Sequence, residues 1–399
     1  MNMTVNVVDA ICGAGKSTAL INMINEDETK QKYLYITPFL TEVERIKIAC
    51  YKKYFKEPIL NTDGNKLDNI KELFDRGENI VSTHALFRRF TPEITELIKK
   101  HHYILIMDEV ADVIERMDIT SDDLKLLASK HIKVNKDKTV SWITPNYEGK
   151  FEVYKETIQN NKVVASVNEK GYIYSLTIFF PIEIFAAFKD VWILTYMFGC
   201  QMQKYYFDLY KINYKYWYVK DFHLTQEPQT YNELDIKQLV KICDIPKINK
   251  IGDNEYALSV NWFHKNAKTK SIKILKDNTF NFFHNIVALP LKKVLWTTFK
   301  EVKNDLKGKG YTKSFVPLNI RATNSYSDRV AIAYLANRYL NPHFQTFFKN
   351  NGIEVDNDMF ALSELIQMIF RSAVRNKKEV LIYLPSSRMR NLLKKWVDS

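Results

Sequence analysis

Residues 5–18 read Val5-Asn6-Val7-Val8-Asp9-Ala10-Ile11-Cys12-Gly13-Ala14-Gly15-Lys16-Ser17-Thr18. A short strand-forming run enters a glycine-bearing turn, and a helical pattern opens from Gly15. Strand, turn and helix N-terminus in that order form the context that a phosphate-binding loop needs. Gly13 and Gly15 allow the backbone N–H groups from Gly13 through Ala14 to Thr18 to turn inward around phosphates. Lys16 then reaches the β/γ oxygens of ATP, and the Ser17 hydroxyl ligates Mg²⁺. The general pattern has a glycine five places before Gly15, where this chain carries the next smallest residue, Ala10. The competing reading is a chance glycine-rich turn.

Outward from this loop, short apolar runs alternate with helical patterns. Residues 33–36, 79–82, 103–107 and 191–194 read as strands, with a helix from about Thr41. A second block follows, with strands at 293–296, 314–318 and 380–384 and helices at 300–306 and 362–375. Such alternation indicates parallel sheets covered by helices on both faces. A single core stops growing at roughly 250–300 residues, so 399 residues imply two domains. The expected organisation is α/β, with an N-terminal domain at 1–204 (insertion about 119–175) and a C-terminal domain at 205–399 (insertion about 220–290).

Hydrophobic residues make up 46% of the chain, enough for packed cores and too many for a disordered protein. Residues 1–200 hold 26 basic and 28 acidic side chains, whereas residues 201–399 hold 32 and 18, so the net charge of +12 sits wholly in the second half. A basic half fits a polyanionic partner, although a merely soluble basic surface would look the same. The four cysteines show no metal-ligand spacing, and the N-terminus lacks a secretory pattern, which points to a reduced cytoplasmic setting. The most apolar stretch, 172–199, is broken by Pro181, Glu183, Lys189 and Asp190 and is no membrane span.

The run at 104–112 is an apolar strand that ends in Asp108-Glu109-Val110-Ala111. In a parallel sheet ligands collect at the C-terminal strand edge. Asp108 is therefore placed to hold Mg²⁺, with Glu109 polarising an attacking water. An acidic helix N-terminus is the alternative. Taken together, Gly-Ala-Gly-Lys-Ser and Asp-Glu-Val-Ala resemble the motifs of superfamily 2 helicases, and the whole chain resembles the short helicase-type ATPases encoded by bacteriophages. The resemblance implies two RecA-like P-loop NTPase domains, ATP and Mg²⁺ as cofactors, and hydrolysis that depends on nucleic acid, DNA ahead of RNA. Replication or recombination proteins would be the partners, and no membrane is involved. A nucleotide-switched DNA-binding ATPase without unwinding activity is the second reading.

Further motifs follow from that resemblance. Tyr35-Ile36-Thr37-Pro38-Phe39 and Val81-Ser82-Thr83-His84-Ala85 are similar to two motifs that face the nucleic-acid backbone, which makes Thr37, Thr83 and His84 candidate contacts. Plain helix caps would use the same threonines. Leu194-Thr195-Tyr196-Met197 resembles the coupling motif of the family, with Tyr196 where a small residue is usual. In the second lobe, Gln367, Arg371 and Arg375 fall at i, i+4, i+8 on an expected helix and resemble the last motif, a glutamine with two arginines. Those arginines stabilise the γ-phosphate during transfer, and Arg375 is the preferred finger with Arg371 as its partner. Phe370 stands where the family has glycine, and the arginines are four apart instead of three. Arg321-Ala322-Thr323-Asn324 resembles the motif that joins nucleotide to DNA, with Asn324 as its nucleic-acid contact. Ser386–Arg390 with Lys394-Lys395, and the aromatic run from Tyr205 to Tyr218, each have a nucleic-acid reading and a structural one.

Overall fold

Five consecutive buried residues, Tyr33–Thr37, mark a strand covered on both faces. Beside it lie Ile104–Asp108 and Ile80–Thr83, both paired with it in parallel. The chain is seen here in a computed structural model that describes residues 3–60, 65–229, 233–318 and 325–398. It divides into two compact units, Met1–Asp9 with Lys16–Glu227, and Ala10–Gly15 with Pro228–Ser399.

The sheet of the first unit has seven strands in the order His223–Thr225, Asn213–Lys220, Thr4–Asp9, Asp190–Thr195, Ile104–Asp108, Tyr33–Thr37, Ile80–Thr83. All neighbours are parallel except the first pair. The first unit therefore runs past residue 204, where the domain boundary was expected. The aromatic strand Asn213–Lys220 pairs alongside Thr4–Asp9 and keeps this segment in the first sheet. Helix Lys16–Glu26 turns Ala19, Leu20, Ile21 and Ile24 into the interior.

Between Asp108 and Asp190 the chain builds a separate antiparallel module. Strand Ile173–Phe179 pairs with Ile114–Arg116 on one side and Lys162–Val167 on the other. Helices Ser121–Lys130 and Glu152–Asn160 and the hairpin Ile132–Val134/Val140–Trp142 surround it. Leu124, Leu127, Ile158, Val163 and Leu176 fill its own small core.

The sheet of the second unit has four parallel strands in the order Val240–Ile242, Val380–Tyr383, Ala331–Tyr334, Val294–Thr297. Val240–Ile242 lies inside the 220–290 stretch expected to be an accessory insertion, and Phe263, Leu275, Phe282 and Phe283 from the same stretch pack in the core with Trp296. That stretch is part of the body of the unit. The strand expected at 314–318 is a single bridge from Phe315 to Trp296. Among the described residues no helix is long and apolar enough to cross a membrane.

One side chain in each unit braces that unit internally. Asp9, at the end of its strand, accepts hydrogen bonds from the backbone N–H groups of Met197 (2.8 Å) and Phe198 (3.0 Å). Trp296 is fully buried, donates from Nε1 to the Tyr311 carbonyl at 2.9 Å, and meets the Tyr311 ring edge-on. Asp9→Ala leaves two main-chain donors without their acceptor and should cost about 2 kcal/mol. Trp296→Ala opens a cavity and should cost about 3–5 kcal/mol. Urea unfolding followed by far-ultraviolet circular dichroism checks both, and midpoints unchanged from the parent would contradict them.

Candidate functional site

The loop after strand Thr4–Asp9 has two residues in the left-handed backbone region, Gly13 (φ 88°) and Gly15 (φ 84°). A Cβ added at Gly13 would meet nothing within 4 Å, so the backbone conformation alone calls for glycine there. Ala14 N–H donates to the Ile11 carbonyl at 3.2 Å and tightens the turn. Helix Lys16–Glu26 then begins with no acidic side chain in its first turn. Its N-terminal N–H groups and dipole are thus not offset by the helix's own side chains, an electrostatic condition that favours an anion.

The parallel register brings Asp108 to the same sheet edge, with Asp9 opposite Thr195 and Leu194 opposite Asp108. Ser17 Oγ donates to Asp108 Oδ2 at 2.8 Å. The same oxygen has the Arg45 guanidinium 3.9 Å away, while Arg45 Nε donates to Glu42 at 2.6 Å. Burial, and next the charge of Glu109, push the Asp108 carboxyl up to about 6; Ser17, Arg45 and Lys16 pull the other way. Glu109 takes a left-handed conformation (φ 71°), and its N–H donates to the Leu194 carbonyl at 2.9 Å. A non-glycine residue held there stores about 1–3 kcal/mol of strain, which commonly marks a working position.

The donor set around Asp108 fits a hard cation. One carboxylate and one hydroxyl are what Mg²⁺ takes from a protein when phosphates and water complete its shell. The Tyr35 hydroxyl adds a structural sign: it is fully buried with no hydrogen-bond partner. Burial first, and the nearby Asp108 charge second, hold this phenol well above its usual range. A buried hydroxyl beside a buried carboxylate marks a site whose electrostatics favour a further positive charge.

The residues expected to face nucleic acid are placed differently from that expectation. Thr37 is fully buried, and its hydroxyl donates to the Phe39 carbonyl at 3.0 Å. His84 is buried, with Nε2 at 2.8 Å from the Asp108 carbonyl. Both therefore serve the strand ends, and neither ring nor hydroxyl is presented as a backbone contact. Thr83 caps helix His84–Phe87 by accepting from Leu86 N–H. Asn324 lies outside the described residues.

In the second unit the expected helix over 362–375 ends early. Helix Asn357–Ile369 stops at Phe370, Ser372 is extended, and Arg375 lies in a separate turn, Ala373–Asn376. Gln367, Arg371 and Arg375 thus do not share one helix face. Arg371 is buried and Arg375 exposed. The basic pair in the last helix is also committed to the fold. Arg388 donates to Asp358, Asn337 and two carbonyls, and Arg390 to the carbonyls of Leu384 and Pro385.

Sequence reasoning passed over several residues that shape the site. Arg45 approaches it only through tertiary contacts, and Asp9, next to the loop in sequence, is distinguished by its bonds to residues 197 and 198. Gln201 accepts from the Thr195 hydroxyl and donates to the Tyr196 carbonyl, and Gln203 accepts from Ala111 N–H at 2.7 Å. A pair of glutamines two apart in an apolar run, both buried, was the available signal. Of the aromatic run, Tyr205, Tyr206 and Phe207 are core, while Tyr216 on strand Asn213–Lys220 is exposed.

Comparison with known proteins agrees with this geometry at two levels. The likeness to solved structures concerns the fold. The chain superposes on ligand-free XPD with a TM-score of 0.51 and 12% identity, covering 98% of this chain and 95% of that one. For Xpd4 of S. tokodaii the values are 0.50 and 13%, with 98% and 93% covered. The fold is accordingly α/β with two RecA-like domains, the first of them carrying the antiparallel module. At the level of sequence, residues 234–397 match the model of the YonV C-terminal Rossmann-like domain and residues 114–173 that of the YonV middle domain. The SPbeta prophage-derived protein YonV of Bacillus subtilis (strain 168) is 39% identical over 99% of both chains. With relatedness running from end to end, this chain belongs to the YonV family.

Proposed function

We propose that the chain is an ATP hydrolase of the superfamily 2 helicase type that moves along or unwinds nucleic acid, DNA ahead of RNA, in the replication or recombination of a phage. The observation that carries this reading is the 2.8 Å hydrogen bond between Ser17, at the head of the loop helix, and Asp108, at the end of the acidic strand. The prophage origin of the YonV relative supports the phage setting.

In this reading the backbone N–H groups from Gly13 to Thr18 and the Lys16 ammonium hold the β- and γ-phosphates of ATP. Ser17 and Asp108 hold Mg²⁺, which supplies charge neutralisation at the phosphate oxygens. Glu109, whose backbone is pinned by Leu194, orients the attacking water and takes its proton. Thr195, tied to Gln201, and Asp9, tied to residues 197 and 198, keep the neighbouring strand ends in fixed register with the loop. Arg375, exposed on its turn, is the proposed finger for the transferring phosphoryl group, with Arg371 as its partner and Gln367 as the third residue of that motif.

Lys16→Ala should lower ATP turnover about 100-fold or more, since single phosphate-transfer groups are worth that much. Turnover at the parent rate would remove the loop from the mechanism. Single-stranded DNA should stimulate the ATPase, and its binding should weaken steeply as salt rises because phosphate contacts release counterions. A turnover rate indifferent to single-stranded DNA, duplex DNA and RNA would instead favour a nucleotide-switched binding protein, and a strand-displacement assay separates unwinding from translocation.

A further inference from the structure

One cationic side chain near the acidic strand end has no place in the mechanism above. Arg45 lies on helix Leu40–Ala49, directly after the Tyr33–Thr37 strand, and is shared between two acids. Its Nε donates to Glu42 Oε2 at 2.6 Å, within hydrogen-bond range. Its Nη2 stands 3.9 Å from Asp108 Oδ2, within ion-pair range and beyond a hydrogen bond. That Asp108 oxygen is the one that accepts from Ser17. The guanidinium therefore sits against the carboxylate that the proposed metal would take, in the company of Glu42, Glu109 and Lys16.

We infer that Arg45 is a stand-in cation: in the nucleotide-free protein it neutralises Asp108, and the incoming divalent ion displaces it onto Glu42. This inference rests on the nucleotide-site reading and assigns that site its competitor. Three features of the geometry carry it. The contact to Asp108 is long and the one to Glu42 short, so release needs a small rotation and leaves the guanidinium paired. Arg45 is 41% exposed along its side chain, so water can reach it as it moves. Asp108 Oδ2, the atom that faces Arg45, also accepts from Ser17, so the guanidinium stands beside the oxygen that the proposed ion would take. Two cations cannot both neutralise one carboxylate at full strength, and by linkage each weakens the other. Arg45 thereby tunes how strongly the site prefers metal-loaded to metal-free nucleotide, and loading the metal loosens helix Leu40–Ala49 from the acidic strand.

The test compares ADP affinity with excess Mg²⁺ and with EDTA, by calorimetry, in the parent protein and two single variants whose folding is checked by thermal melting. Arg45→Gln should raise the ratio of the two affinities about three- to fivefold, the scale set by partly exposed ion pairs. Glu42→Gln, which removes the tether and leaves Arg45 to Asp108, should lower the ratio by a similar factor. Opposite shifts from neighbouring substitutions are not what general damage produces. An unchanged ratio in both variants, or a fall in Arg45→Gln, overturns the stand-in role while leaving the nucleotide site intact. A parent protein that binds no ADP under either condition overturns the nucleotide reading and this inference together.

Discussion

The hydrogen bond between Ser17 and Asp108 depends on strand register more than on either residue. Ser17 heads a helix that follows strand Thr4–Asp9, and Asp108 ends a strand two places away, with Asp190–Thr195 between them. The pairings Asp9 with Thr195 and Leu194 with Asp108 bring all three ends level. Side chains alternate along a strand, so a slip of one residue would turn Asp108 to the other face and Glu109 away from its bond to Leu194. The bonds from Met197 and Phe198 to Asp9, from Thr195 to Gln201 and from Ala111 to Gln203 fix that register at the loops where parallel strands are otherwise weakly held. These polar contacts of the first unit thus gather at the strand ends where the chemistry is proposed.

The parts of this arrangement that are local in sequence could be read from it. The loop at 13–18 declares itself through glycine spacing and a following helix, and the acidic strand end through an apolar run closed by two acids. Thr83 as a helix cap is equally local. Arg45, Asp9 and Gln203 were not legible in the same way, because what distinguishes them is a partner tens of residues distant. The segment 362–375 shows the converse failure. Its helical period runs unbroken through Arg375, yet the chain leaves the helix at Phe370 because Ala373 N–H bonds to the Arg329 carbonyl and Ser372 extends. A tertiary hydrogen bond outweighed propensity there. The short strand Val240–Ile242 was missed because three residues in a sheet carry too little pattern to register.

Charge is similarly double-edged as evidence. The basic excess of the second half suggests a polyanion, but some of it is spent inside the fold. Arg388 lies 4.0 Å over the Tyr339 ring while bonding to four acceptors, and Lys394 pairs with Asp244 at 2.5 Å. Side chains so engaged give little to a ligand, and their role is to hold the last helix against the loops that follow two strands of the second sheet. Any surface for nucleic acid must draw on other lysines and arginines of this half. The antiparallel module at 114–179, with its own core, is inserted between the acidic strand Ile104–Asp108 and its sheet neighbour Asp190–Thr195.

The proposed chemistry depends on Lys16–Thr18 and Asp108–Glu109 holding the same nucleotide. Amide hydrogen exchange with and without Mg²⁺ and ADP reads this directly, since bound phosphates engage the N–H groups themselves. The account expects slower exchange at 13–18 and at 108–109 together, and no such slowing in the Ser17→Ala protein at 108–109. Exchange at 13–18 that stays the same when saturating Mg²⁺ and ADP are added would contradict it.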